Sequence, residues 1–178
     1  MKNIIEKLIE NKIFQSVEIE TKDIIISEEI LSYCKANKCG KYNTNWTCPP
    51  AIPSIYQLKE QYNRYSTALI YNIIYPLEDS FDWDGMLGAL KDSNNTANKI
   101  AKYLHTLKLD FKVLKSGSCD ICDKCTYPDN PCKHPDIAYP PLEAYGINVM
   151  ELAKKFNLNY YNGVNTITYF TIFFYNHE

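Results

Sequence analysis

The sequence predicts a chain of mixed α/β or α+β class, a single mixed-sheet sandwich with helices and two cysteine-bearing loops. Three observations predict it. Residues 67–75 and 166–175 are short, nearly continuous apolar runs rich in β-formers, as buried strands require. Stretches with apolar residues at helical spacing separate them. All seven cysteines fall in two polar segments, 34–53 and 116–135, that carry Asn, Gly, Pro and Lys rather than either periodicity. At 178 residues and 46% hydrophobic content, one domain with a real core is expected, and disorder is not.

The elements follow in order. Ile4, Ile5, Leu8, Ile9 and Ile13 predict an amphipathic N-terminal helix. Residues 17–27 predict a strand or hairpin arm, and 28–36 a short helix leading to Cys34. Ser54 with Gln57 forms a capping-box pair, so a helix starts there, with Ile55, Leu58, Tyr62 and Tyr65 on its apolar face. The strand at 67–75 precedes a helix over 84–107, with a break expected near Ser93-Asn94-Asn95 and a stripe of Ile100, Ala101, Leu104 and Leu107. A strand at 109–115 completes a unit with the length of a right-handed βαβ crossover. Asn148 and Glu151 cap a helix over 148–156, where Val149, Leu152, Ala153 and Phe156 face inward. The strand 166–175, apolar on both faces, belongs in the middle of the sheet, after the turn signal Asn162-Gly163.

Composition excludes several function classes. Net charge is −2, and the only arginine is Arg64, so no basic cluster predicts a nucleic-acid partner. No stretch approaches 18 apolar residues, which argues against a membrane span. Glu6 and Glu10 interrupt any signal-peptide core, so a cytoplasmic location is expected. No P-loop, GxGxxG, HExxH or Ser-His-Asp pattern occurs, so no nucleotide cofactor is expected and catalytic residues stay unassigned.

In a reducing compartment, closely spaced thiols are metal ligands or redox groups more often than disulfides, and an odd count forbids a fully paired framework. Cys119, Cys122 and Cys125 form C-x2-C-x2-C, with Cys132 after six residues. Repeated x2 spacing lets one loop wrap its thiolates around the corners of a cubane. The first three cysteines match a ferredoxin run, whereas the last gap is longer and Pro131 precedes the fourth cysteine instead of following it. Zinc sites usually pair two separated C-x2-4-C knuckles, which this pattern fits poorly; zinc and thiol redox chemistry remain the competing readings. Upstream, Cys34-x4-Cys39-x8-Cys48 is weaker evidence, because scattered cysteines are often small buried apolar side chains. Its loop-like setting, the prolines after Cys48 and the helix start at Ser54 favour a site. Residues 1–178 thus read as one metal-binding domain whose candidate ligands are Cys34, Cys39, Cys48, Cys119, Cys122, Cys125 and Cys132.

Seven thiolates divide as four and three, so a second cluster would need a non-cysteine ligand or an open iron. His134 is the best histidine for that role, with an exposed loop histidine as the plainer reading; His105 and His177 are weaker. Trp46, beside Cys48, is either a cover for a cluster or a packing residue. Phe81-Asp82-Trp83-Asp84 reads as a helix cap.

Four stretches together resemble one family: Cys48-Pro49-Pro50, Gly117-Ser118-Cys119-x2-Cys122-x2-Cys125, Pro131-Cys132-x2-Pro135, and Glu143-Ala144-Tyr145-Gly146-Ile147-Asn148-Val149. From about residue 30 to the C-terminus the chain is similar to the prokaryotic "predicted metal-binding protein" family, a domain of unknown function found mainly in anaerobic bacteria and archaea. The resemblance implies metal binding through these cysteines, most plausibly as iron–sulfur, and supplies neither substrate nor reaction. The stretch beginning at Glu143 is expected to pack under the cysteine loop. The leading expectation is one or two [4Fe–4S] clusters serving electron transfer with a redox protein partner. The alternatives are an enzyme with an open-coordination cluster and a zinc-binding structural or interaction module.

Overall fold

A computed structural model of the chain describes residues 1–177. Four strands form one antiparallel sheet in the order β1-β2-β4-β3: β1 (Phe14–Glu20), β2 (Thr67–Pro76), β3 (Phe111–Leu114) and β4 (Thr166–Tyr175). β4 pairs with β2 from Thr67↔Tyr175 and with β3 from Phe111↔Tyr175, so it occupies the centre that its two apolar faces required. β2 and β3 consequently run parallel to each other with β4 between them. The strand–helix–strand unit is therefore a split crossover, and the class is α+β.

Alternation along the strands sorts the core into two layers, because successive side chains point to opposite faces. Ala68, Ile70, Leu114, Phe170, Ile172 and Phe174 face one layer, with Leu58 and Tyr62 of α3 (Ile55–Tyr62) and Leu152 and Ala153 of α5 (Val149–Lys155). Leu69, Tyr71, Ile73, Val113, Phe173 and Tyr175 face the other, against α1 (Lys2–Leu8) and α4 (Trp83–Thr106). Helices thus cover both faces of the sheet.

The caps sit where sequence chemistry puts them. Ser54 and Gln57 complete a capping box on α3, Asn148 Oδ1 accepts from the Glu151 amide at 3.2 Å, and Asp82 caps α4 by accepting from the Gly85 amide at 2.8 Å. Four expectations change. The strand expected over 17–27 is β1, which ends at Glu20 and gives way to a 3₁₀ turn over Thr21–Asp23. α4 runs unbroken through Ser93-Asn94-Asn95, because Ser93, Asn94, Thr96 and Ala97 are buried and this packing overrides weak local propensity. Leu107 follows the end of α4 and is half exposed. α1 stops at Leu8; Ile5 and Ile9 are buried, whereas Leu8 and Ile13 are exposed. Among the described residues, no helix is long and apolar enough to cross a membrane.

Candidate metal centre

All seven thiols are free. Cys34 sits on the last turn of α2 (Glu28–Lys35), a helix capped by Ser27, whose Oγ accepts from the Glu29 amide at 3.2 Å. The start of α2 is clamped to a distant segment: the Ser27 amide donates to the Gly146 carbonyl at 2.8 Å, and Ile26 bridges Ile147. Gly146 has φ +74°, and a Cβ there would lie 2.8 Å from Ile26 Cγ2, so only glycine allows this approach. The clamp fixes Cys34 relative to the 3₁₀ turn Glu143–Tyr145.

The loop carrying Cys39 and Cys48 is held by its own asparagines. Asn37 and Asn43 take left-handed conformations that this residue type tolerates. Asn37 Oδ1 accepts from the Tyr42 amide, and Asn45 Oδ1 accepts from both the amide and the hydroxyl of Thr47. The four-cysteine loop leaves the sheet at the end of β3. Three hydrogen bonds stitch the two loops together: the Cys119 amide donates to Thr47 Oγ1 at 3.2 Å, Trp46 Nε1 to the Asn130 carbonyl at 3.2 Å, and Tyr127 Oη to Asn43 Oδ1 at 2.8 Å. Trp46 also meets the Tyr127 ring edge-on, with centroids 4.9 Å apart.

The cysteines line two separate cavities, four in one and three in the other, and Cys132 also borders an open groove of about 560 Å³. Cys119, Cys122, Cys125 and Cys132 line a small cavity of about 20 Å³, with Trp46 as part of its wall. Cys34, Cys39 and Cys48 line a larger one of about 300 Å³. Sequence neighbours line opposite cavities at two places. Thr47 faces the small cavity and Cys48 the large one; Cys119 faces the small cavity, while Gly117 and Ser118 face the large one. Among the described residues, no three His, Cys, Asp or Glu side chains are gathered tightly enough to grip a single metal ion; the thiols line walls rather than converge on a point.

The electrostatics match this layout. Burial pushes the Cys34 thiol up to about 11, helped by Cys48, Glu143 and Cys39 nearby. Burial also raises the thiols of Cys48 and Cys119. Cys119 is partly offset by a hydrogen bond from the Ile121 backbone and by the Lys115 ammonium. Lys115 is fully buried at the end of β3, and its ion-pair partner, Asp120, is half exposed at 3.4 Å. A buried cation with so little compensation is costly; Lys115 lines neither cavity and acts on the site through its charge on Cys119.

His134 lines the four-cysteine cavity, so it does not complete the three-cysteine set. α3 contributes to neither cavity. The stretch beginning at Glu143 lies beside Gly117-Ser118 at the start of the cysteine loop, on the three-cysteine side. Sequence reasoning missed Glu143 as a residue lining the three-cysteine cavity and Lys115 as a buried charge near Cys119. Glu143 stood within a recognised motif that gave it no role, and Lys115 followed a strand with nothing to mark it as buried.

A model of the family described as predicted metal-binding protein (DUF2284) matches residues 17–175. No curated protein matches the chain, and no solved structure does.

Proposed function

The chain belongs to the family of predicted metal-binding proteins, and from that premise we propose that it is an iron–sulfur protein with two centres, one per cysteine cavity, carrying electrons for an oxidoreductase partner. The observation that carries this reading is the shared partition: Thr47-Cys48 and Ser118-Cys119 each place neighbouring residues on opposite sides of it. Two centres so placed are separated by side chains rather than by a domain, which favours electron exchange between them.

The chemistry of the donor set fits such a group, and the four-cysteine cavity must widen beyond its about 20 Å³ to admit it. Seven free thiols face two cavities, and the buried Lys115 supplies positive charge beside Cys119. A thiolate-held cubane supplies reversible one-electron oxidation and reduction when bound. The chain's own contribution is to hold the thiols in two fixed sets, to shield the four-cysteine cavity with Trp46, and to set local charge through Lys115.

One observation favours a zinc-binding module instead. The four-cysteine cavity, at about 20 Å³, has the room of one small ion. Against it stands the spacing, because three cysteines in a row at x2 fit the paired C-x2-4-C knuckles of structural zinc sites poorly. The decisive experiment is purification without oxygen followed by iron, sulfide and zinc analysis and a redox titration. About eight irons with matching sulfide, reversibly reducible, is the expected result for two cubanes. Zinc without iron, or a redox-silent protein, would overturn the proposal.

A further inference from the structure

The three-cysteine cavity raises a question of stoichiometry. Three thiols cannot fill the four corners of a cubane, and His134 faces elsewhere. Among the residues lining the large cavity, one other side chain is an anionic donor: Glu143. It stands on a rigid support. Leu142 and Ala144 on either side of it are fully buried, and Gly146 ties the turn to the start of α2. The Leu142 amide also donates to the Lys115 carbonyl at 3.1 Å, fixing the turn against the root of the four-cysteine loop. Glu143 itself is exposed, and it lines the cavity together with Cys34, Cys39 and Cys48. A carboxylate beside three thiols is repelled by each of them once they ionise, unless a cationic core stands between the four donors.

We propose that Glu143 is the fourth protein ligand of the three-cysteine centre, which is then bound by three thiolates and one carboxylate. A carboxylate is a harder and more weakly held donor for iron than a thiolate. The corner held by Glu143 is therefore the one that a small exogenous ligand can take by displacing it. The remainder of the 300 Å³ cavity, bordered by Lys41 and Tyr42, lies around that corner and suits a small anion. This inference rests on the iron–sulfur reading above.

The test uses the full chain, purified and reconstituted without oxygen, with Glu143→Gln, Glu143→Cys and His134→Ala variants. Cys39→Ser identifies which EPR signal belongs to the three-cysteine centre. Loss of one iron from that centre to a chelator, followed by EPR, is expected to quicken at least about tenfold in Glu143→Gln, because losing even a group that only supports a ligand costs about that much. Glu143→Cys should slow the loss and abolish the spectral change that added cyanide causes in the wild type. His134→Ala should leave this centre unchanged. If Glu143→Gln and Glu143→Cys both match the wild type in spectrum and iron loss, the inference is overturned while the iron–sulfur reading stands. If the wild type takes up no iron at all, both fall together.

Discussion

Lys115 is the residue whose environment asks most to be explained. Its ammonium is fully buried and shares one ion pair, at 3.4 Å, with a half-exposed Asp120. At an effective dielectric near 20, a unit charge several ångströms from a cluster is worth roughly 2 kcal/mol, which is roughly 50–100 mV for one electron. Reduction adds negative charge, so the cation favours the reduced form. Replacing Lys115 by Met should lower the midpoint potential of the four-cysteine centre by about that amount in a redox titration. The same change should leave the metal-free protein no less stable, because it removes a poorly compensated buried charge. Lys112 makes a different point. Burial, with Arg64 nearby, holds its ammonium down to about 8 from 10.5, although it donates to Gln61 and lies over the Tyr145 ring. The folded state therefore gives up this proton before the unfolded state does. Between about pH 8 and 10.5 the unfolded chain binds more protons, so stability rises with pH across that window and the cost is fully present below it. Lys112→Met keeps the stem on Tyr145 and should stabilise the protein at pH 7 by roughly 2 kcal/mol, a value discounted for residual solvent contact. Urea unfolding at pH 7 and pH 10.5 should show that advantage and then its disappearance.

At the scale of elements, local chemistry decided some features and tertiary contact decided others. The Ser54 capping box depends on residues three apart, and it was readable because its hydrogen bonds are local. Ser54→Ala should cost about 1 kcal/mol in chemical denaturation. The central place of β4 was readable too, since TITYFTIFFY has no polar face to give to water. The length of α4 was not, because Ser93-Asn94-Asn95 looks like a break until the sheet covers Ser93 and Asn94. The candidate site divides the same way. Spacing separated the cysteines into four and three, which is how they line the two cavities. The non-cysteine neighbour was misjudged because Glu143 reaches Cys34 only through the clamp of Ser27 and Ile26 on Gly146 and Ile147, more than a hundred residues along the chain. That clamp can be broken at one atom. Gly146→Ala forces a Cβ to within 2.8 Å of Ile26 Cγ2 at a positive φ, at a cost of about 2–3 kcal/mol. Its measured effect should be a lowered unfolding midpoint together with a loosened three-cysteine centre, while the four-cysteine centre keeps its spectrum.

Across the whole molecule, the four-cysteine loop and the hydrophobic core are separate structures, and the 34–53 loop meets the core cluster at Ile52. Neither core cluster draws a fully buried residue from 116–141; its nearest member, Tyr139, is partly buried at the margin. The core is instead built from β2, β4 and β3 with Leu58, Tyr62, Ile100 and Leu104 of the covering helices. A small zinc domain behaves differently, because there the metal supplies the folding energy and its removal unfolds the chain. Here the 119–137 segment has turns and bends, a few internal hydrogen bonds and three stitches to the 43–47 loop. Such a segment sits at the low end of local stability, and the sheet at the high end. Chelating the metal should therefore leave the far-ultraviolet circular dichroism and the main unfolding transition nearly unchanged, while protease cleavage within 119–137 accelerates strongly. Loss of the whole transition on chelation would mean that the metal holds the fold itself, and would favour the structural zinc module over an electron carrier built on a self-sufficient sheet.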